Sequence, residues 1–219
     1  MQFGLYGKTD VLKFFRTKIL IELSSLDSIN KLVNSNAQQS TNVNVPQQDV
    51  KWIPPDYEFL KCNTDASFKK ETLQGGLGLI IKDFADTNIA VQDIHINGGM
   101  RDGTEVEEPE CKAMKEVVAL AVKLKLKKVI LESDSEVLVK SINGPDYFVH
   151  WLYQSLILDI EFMLRSIESW RCISVRRDAN SVANKIAKRA RIMGVCFNFR
   201  IDLPLEIQEW IDQDKPVLD

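Results

Sequence analysis

Val129-Ile130-Leu131 is a short apolar run that ends in an acidic-polar corner, Glu132-Ser133-Asp134-Ser135, and Glu136-Val137-Leu138-Val139-Lys140 follows at once. Such a pattern reads as a buried strand, a carboxylate at its carboxyl end and a helix that starts immediately. It commits the chain to an α/β sheet with at least one buried strand. In open α/β sheets, ligands bind in the crevice outside the carboxyl ends of the strands. Asp134 stands at that point, although Asp134 or Ser133 would also serve as a plain helix N-cap.

Two further acids sit where an acid is awkward. Asp65 lies inside the strand-like stretch Tyr57–Phe68, after Phe59, Leu60 and Cys62. Facing the core, it needs neutralisation, a partner or a metal; facing solvent by alternation, it needs nothing. Glu110 lies near the start of a long helical pattern, Glu105–Lys125, one turn before Met114 on the apolar side of Val117, Val118 and Ala121. Placed there, it is either a first-turn partner of the helix dipole or an acid aimed at the sheet.

The rest of the chain supplies the frame. Gly75-Gly76-Leu77-Gly78 opens a second strand, Gly75–Asp83, but no Lys-Ser/Thr follows and no helix opens. Phosphate-loop and dinucleotide fingerprints therefore fail, and the glycines mark a bulge or a close backbone approach. Ile89–Ile96 returns as a third strand, completing a meander. Asn97–Thr104 is a Gly-rich loop, with Thr104 a cap for the helix beyond it. Trp151–Ser166 and Asn180–Met193 are amphipathic helices on either side of a short strand, Cys172–Val175. The order β-β-β-α-β-α-α-β-α predicts a five-stranded mixed sheet, a three-stranded antiparallel meander plus parallel strands, flanked by helices.

Around this core, residues 1–33 form an N-terminal extension in which Thr9–Val33 has helical apolar spacing. Residues 34–50 are an Asn/Gln/Ser-rich linker, 51–195 the main domain, and 196–219 a tail that docks through Ile207, Trp210 and Ile211. The Thr9–Val33 helix is a candidate surface for a protein partner. A chain of 219 residues with four cysteines, none in a Cys-x-x-Cys pair, and two histidines offers no structural zinc site. No apolar run approaches about 18 residues, and no signal core follows the start. The expectation is an intracellular protein of nucleus or cytoplasm, not secreted and not in a membrane, and a monomer. A net charge of −3 argues against a broadly basic coat, yet Arg165–Arg200 holds nine Lys/Arg against two acids, a local +7. That stretch is a solvated helix face or a phosphate-contacting one.

In order along the chain stand Trp52-x-Pro54-Pro55, Cys62-Asn63-Thr64-Asp65-Ala66, Gly76-x-Gly78, Glu110 within a helix, Glu132-Ser133-Asp134-Ser135 and Asn180-x-x-Ala183. Together, over about Lys51–Met193, they resemble the ribonuclease H type 1 domain, in the retrotransposon-derived, reverse-transcriptase-like variant abundant in plants. The resemblance implies a metal-dependent endoribonuclease that hydrolyses the RNA strand of RNA–DNA hybrids by a two-metal mechanism. It implies Asp65, Glu110 and Asp134 as catalytic metal ligands, with Asn184 at the fourth ligand position and two Mg²⁺ or Mn²⁺ ions as cofactors. Contacts to the hybrid are implied for Ala66, Ser67, Ser135, Arg176, Arg177 and Asn180.

The chain departs from the family pattern twice. The family carries an acid where Asn184 stands, and active members often carry a histidine in the loop that here reads Val175-Arg176-Arg177-Asp178-Ala179. The first implies a weaker second metal site, the second the loss of a residue placed to help product release, and both imply lower activity. The alternative is a catalytically weak or inactive nucleic-acid-binding module of the same origin.

Overall fold

The structure is a computed structural model that describes residues 51–97, 107–199 and 202–215. The Thr9–Val33 helix, the linker and most of the Asn97–Thr104 loop, with its Thr104 cap, lie outside the described residues.

Six strands form one sheet: β1 (Leu60–Lys69), β2 (Gln74–Lys82), β3 (Asn88–Asn97), β4 (Lys128–Ser133), β5 (Ser169–Ser174) and β6 (Phe197–Phe199). Their order is β5-β4-β1-β2-β3-β6. The β1-β2-β3 meander is antiparallel, and β4 and β5 add in parallel on the other side of β1. The mixed α/β architecture is the expected one, with six strands rather than five. The additional strand, β6, is three residues long and carries no alternation long enough to read. It pairs antiparallel with the β3 edge, where Asp93 Oδ1 accepts the Phe197 amide N–H at 2.7 Å.

Among the described residues, five helices cover the sheet: α1 (Glu107–Lys123), α2 (Glu136–Asn143), α3 (Gln154–Leu164), α4 (Ser181–Met193) and α5 (Leu205–Asp214). The expected helix at Trp151–Ser166 divides into a 3₁₀ turn, Trp151–Tyr153, and α3, and a 3₁₀ turn at Arg177–Asn180 leads into α4. Among the described residues, no helix is long and apolar enough to cross a membrane.

Two cores result. The larger joins Cys62, Leu79 and Leu131 of the sheet to Cys111, Met114, Val117 and Val118 of α1 and to Ile157 and Ile160 of α3. On the opposite face, Ile80 and Val91 pack with Val182, Ala183 and Ile186 of α4 and with Ile207 and Ile211 of α5. Ile207 and Ile211 are 0% and 1% exposed, so the tail helix completes this second core.

The glycines of β2 explain how close α4 comes. A Cβ on Gly78 would lie 2.1 Å from the Ala183 carbonyl and 2.5 Å from the Ala187 amide, and one on Gly76 would lie 2.2 Å from the Ala187 carbonyl. Helix backbone therefore rests directly on strand backbone, which only glycine permits. Of the two readings of these glycines, close approach is the one observed here.

Candidate active site

The site begins with strand register. Asn63, Asp65 and Ser67 of β1 share one face, since side chains alternate along a strand. That face is the one α4 covers, and Asp65 lies opposite Gly78 in the β1–β2 ladder. The tight α4–Gly78 contact thus places Asn184 beside Asp65, and Asn184 Nδ2 donates to Asp65 Oδ2 at 2.5 Å.

On the other flank, the parallel β1–β4 ladder runs to Asn63↔Glu132 and stops. From β1 the chain proceeds to one side of the sheet and from β4 to the other, so the crevice between their carboxyl ends is a topological switch point. Asp134 stands there, just beyond β4. Ser135, not Ser133 or Asp134, caps α2, accepting the Leu138 amide N–H at 3.4 Å. The capping role is therefore filled without Asp134, whose carboxylate is left for other work.

Glu110 comes from the first turn of α1, on the opposite face, and reaches the crevice where the β1–β4 ladder has ended. Carboxylate oxygens of Asp65, Glu110 and Asp134 all lie within 4.8 Å of one another. Asp65 is 1% exposed and Glu110 4%. Burial, and then the Asp134 charge, pushes the Asp65 carboxyl up to about 7, although the Asn184 amide opposes this. Burial, with the Asp65 and Asp134 charges, pushes Glu110 up to about 9, against the Ala66 backbone N–H and the Arg177 charge. Glu110 Oε2 is buried without a hydrogen-bond partner among the described residues. A buried carboxylate oxygen without a donor is a standing cost. A hard divalent cation removes that cost and the mutual repulsion together, and an all-oxygen donor set suits Mg²⁺ or Mn²⁺.

The remaining expected residues sort by position. Arg177 is 70% exposed on its side chain, with Nε 3.9 Å from Asp134 Oδ2, and Arg176 beside it is also exposed. Ala66, Ser67 and Ser135 are half-buried at the rim. Ser67 accepts a hydrogen bond from Arg191 Nε at 3.0 Å.

Asn180 is placed differently from a surface contact. It is 2% exposed, its Nδ2 donates to the Thr64 carbonyl at 2.9 Å and its Oδ1 accepts from Asn63 Nδ2 at 3.2 Å. Both ends of its amide are consumed inside the protein, so it ties the entry of α4 to β1.

Asn180 belongs to a polar layer below the acids that the sequence reading did not identify. Trp52 Nε1 donates to Asn63 Oδ1 at 3.0 Å, Asn63 Nδ2 also donates to Glu132 Oε2 at 2.9 Å, and Glu132 Oε1 pairs with Lys61 Nζ at 2.8 Å. Lys61 donates in turn to the Ile53 carbonyl at 2.6 Å. The signal was available: two charged residues of opposite sign, Lys61 and Glu132, stand within strands, each next to buried apolar residues. Their pairing depends on register, which sequence alone leaves open.

Comparison with known proteins agrees with this architecture. A family model described as reverse transcriptase-like matches residues 63–190. Among solved structures, the N-terminal RNase H domain of a Mycobacterium tuberculosis protein, fused to maltose binding protein, is 17% identical. That match has a TM-score of 0.55 over 62% of this chain and 94% of that one. RNase H1 of the archaeon Halobacterium salinarum is 14% identical, with a TM-score of 0.53 over 63% and 99%. LC11-RNase H1 from a compost metagenome, in complex with an RNA/DNA hybrid, is 15% identical, with a TM-score of 0.53 over 62% and 98%. At these identities the structural likeness establishes the fold. No curated protein sequence matches the chain. The family match covers more than half of the chain, from two residues before Asp65 to the last turns of the helix that carries Asn184. The chain therefore belongs to the reverse transcriptase-like family, and its domain has the ribonuclease H fold.

Proposed function

We propose that the chain is a divalent-metal-dependent endoribonuclease that hydrolyses the RNA strand of RNA–DNA hybrids. The carrying observation is the convergence of Asp65, Glu110 and Asp134 within 4.8 Å, with two of them buried and one oxygen left without a donor. Those three carboxylates are the residues that would hold Mg²⁺ or Mn²⁺, with the Asn184 carbonyl oxygen, after an amide rotation, as a neutral fourth ligand. When bound, a pair of such ions supplies an activated water and charge stabilisation for phosphodiester hydrolysis. Water oxygen bonds to phosphorus as the bond to the 3′ oxygen breaks, leaving a 5′-phosphate and a 3′-hydroxyl. The chain's own contribution is placement. Strand register fixes Asp65, the end of β4 frees Asp134, and helix α1 drives Glu110 into a site where water is scarce.

Recognition in this reading is by shape. Ala66, Ser67 and Ser135 at the rim are small enough for a shallow minor groove lined with 2′-hydroxyls to approach. Arg176 and Arg177 are exposed to meet phosphates, Arg177 beside Asp134.

One observation favours a second reading, a nucleic-acid-binding module with weak or absent catalysis. Asn184 brings no charge, and in this structure its amide N–H, not its carbonyl, faces Asp65. A single experiment separates the two readings: cleavage of a labelled RNA–DNA hybrid across Mg²⁺ and Mn²⁺ titrations, beside Asp134→Asn and Asn184→Asp. Cleavage that Asp134→Asn abolishes establishes the nuclease. Binding without cleavage, with activity appearing only in Asn184→Asp, establishes the module. No cleavage by any variant overturns the assignment of the acid cluster.

A further inference from the structure

Three of the candidate ligands stand one structural repeat beyond a residue of the polar layer beneath them. Asp65 follows Asn63 by two positions on β1, the strand period, and Asp134 follows Glu132 by two, just past the end of β4. Asn184 follows Asn180 by four, about one helical turn. The β1–β4 ladder ends at Asn63↔Glu132. The side-chain bond from Asn63 Nδ2 to Glu132 Oε2 therefore lies where backbone pairing ceases to set the separation of the two strands.

The layer is a circuit that begins and ends on one short segment. Trp52 Nε1 donates to Asn63 Oδ1, Asn63 Nδ2 donates to both Glu132 and Asn180, Glu132 pairs with Lys61, and Lys61 donates to the carbonyl of Ile53, next to Trp52. Residues 51–55 thus close the circuit, although they belong to no strand or helix. An indole N–H can only donate. It draws the Asn63 oxygen toward Trp52 and turns both N–H donors of that amide to Glu132 and Asn180. Asn180, oriented in turn, donates to the Thr64 carbonyl at the entry to α4.

Trp52 is itself held firmly. It is 2% exposed, with the Lys82 ammonium 3.6 Å and the Lys61 ammonium 5.3 Å from its ring centroid. Beside it, Lys51 Nζ donates to the Gln213 and Lys215 carbonyls at the end of α5, at 3.4 and 3.2 Å. Asp214 of α5 lines the same narrow gap as Trp52, Asn63 and Asn180. Packing alone would ask only for an apolar ring at this place. A ring that also carries a buried donor, aimed at an amide two residues from Asp65, does more than fill space.

We infer that Trp52 is a positioning residue for the metal site, setting the spacing of Asp65, Asp134 and Asn184 from one layer below through Asn63. This rests on the proposed metal-dependent function. Trp52 touches no reacting atom and acts through Asn63, Glu132 and Asn180. A cation that draws the Asp65 and Asp134 carboxylates toward it pulls on β1 and β4 where Asn63 and Glu132 join them, so the indole N–H senses whether the site is filled.

The test uses the full chain without nucleic acid. Its four tryptophans give four indole N–H resonances in a ¹H–¹⁵N spectrum, and the one lost in Trp52→Phe is that of Trp52. This resonance is expected to move as Mg²⁺ is added, with the half-saturation that calorimetry gives for the same ion. Trp52→Phe keeps an apolar ring but leaves the Asn63 oxygen without its donor, and is expected to weaken Mn²⁺ binding about tenfold, the low end for loss of an outer-shell partner. Trp210→Phe is the control, because Trp210 packs on the second core, away from the polar layer. It is expected to lower the melting temperature with Mn²⁺ affinity unchanged. If Trp52→Phe does not fold, the Trp52 resonance is identified by elimination from Trp151→Phe, Trp170→Phe and Trp210→Phe, and its response to Mg²⁺ decides. A Trp52 resonance that stays fixed while Mg²⁺ binds overturns the inference and leaves the proposed function standing. So does Mn²⁺ affinity retained in Trp52→Phe, or lost equally in Trp210→Phe. If the unsubstituted chain binds neither ion, the proposed function fails and the inference with it.

Discussion

At the scale of single residues, the acid cluster is a balance of repulsion and burial, and each member has a separable consequence. Asp134→Asn and Glu110→Gln each remove a charge from the candidate ligand set. Both are expected to lower hybrid cleavage by more than the roughly 10–100-fold that follows loss of an outer-shell partner of a metal, read as initial rates at saturating Mg²⁺. Asn184→Asp acts the other way. It adds a carboxylate beside Asp65, and one close charge at a partly screened site contributes on the order of 1–4 kcal/mol. The Mg²⁺ concentration for half-maximal cleavage is therefore expected to fall about tenfold or more, while an unchanged metal requirement counts against Asn184 as a ligand position. The pKa shifts give a further sign. Cations bind deprotonated carboxylates, and Asp65 and Glu110 lose their protons only near pH 7 and 9. Metal affinity is thus expected to climb steadily from pH 6 to pH 9, as isothermal titration with Mn²⁺ would record. The three acids were legible in the sequence as candidates, although each taken alone also had an ordinary reading as a cap, a solvent-facing residue or a helix-dipole partner. Their meeting point rested on the family resemblance, since no spacing rule joins a mid-strand residue, a helix start and a strand end. Asn180 was legible as a motif position but not as a buried strut, because its partners, Asn63 and Thr64, lie more than a hundred positions away.

At the scale of elements, the contact between β2 and α4 decides the geometry of the site. Gly78→Ala would set a methyl 2.1 Å from the Ala183 carbonyl and 2.5 Å from the Ala187 amide, both backbone atoms that no rotamer change relieves. Overpacking of this kind costs typically 1–3 kcal/mol. The helix must lift, and Asn184 rides on it, one residue after Ala183. Gly78→Ala is expected to lower the denaturation midpoint and to disturb metal binding together, whereas Gly144→Ala, remote from the acids, is expected to leave metal binding intact. Equal metal affinity in the Gly78 variant would separate α4 seating from the site. The two glycines were readable as a sign of close approach, and the helix that approaches them was not, because the partner lies at the other end of the domain. β6 was missed for a different reason: three residues carry no periodicity, and its existence depends on the free β3 edge and on Asp93 accepting the Phe197 amide. Edge strands of this kind are products of assembly more than of local preference.

At the scale of the whole molecule, the two cores place opposite demands on the acids between them. Apolar packing on both faces of the sheet is what buries Asp65 and Glu110, and burial is the first cause of their raised pKa values. Without metal, that burial has a cost to folding, and its direction follows from proton linkage. In the unfolded chain these carboxyls titrate near 4, but in the folded chain they titrate near 7 and 9. Between those limits the native state binds more protons than the unfolded state, so stability falls as pH rises and levels off only above about pH 9. The surface acids Glu58, Glu136 and Asp212 are shifted down by Lys128, Lys140 and Lys215, so their contributions are complete below this window and do not mask the slope. The metal-free chain is accordingly expected to melt at progressively lower temperature from pH 5 to pH 9. Glu110→Gln, which removes the higher of the two titrations, is expected to flatten that decline and to be more stable than the unsubstituted chain at pH 8 by on the order of a few kcal/mol. Added Mn²⁺ binds the native state alone and is expected to raise the melting temperature of the unsubstituted chain more at pH 8 than at pH 6, and that of Glu110→Gln far less. A stability that stays flat with pH in EDTA, unaffected by Glu110→Gln, would mean that the acids are hydrated rather than held in a dry crevice. The carboxylate cluster would then lose the physical basis on which it has been assigned to a metal.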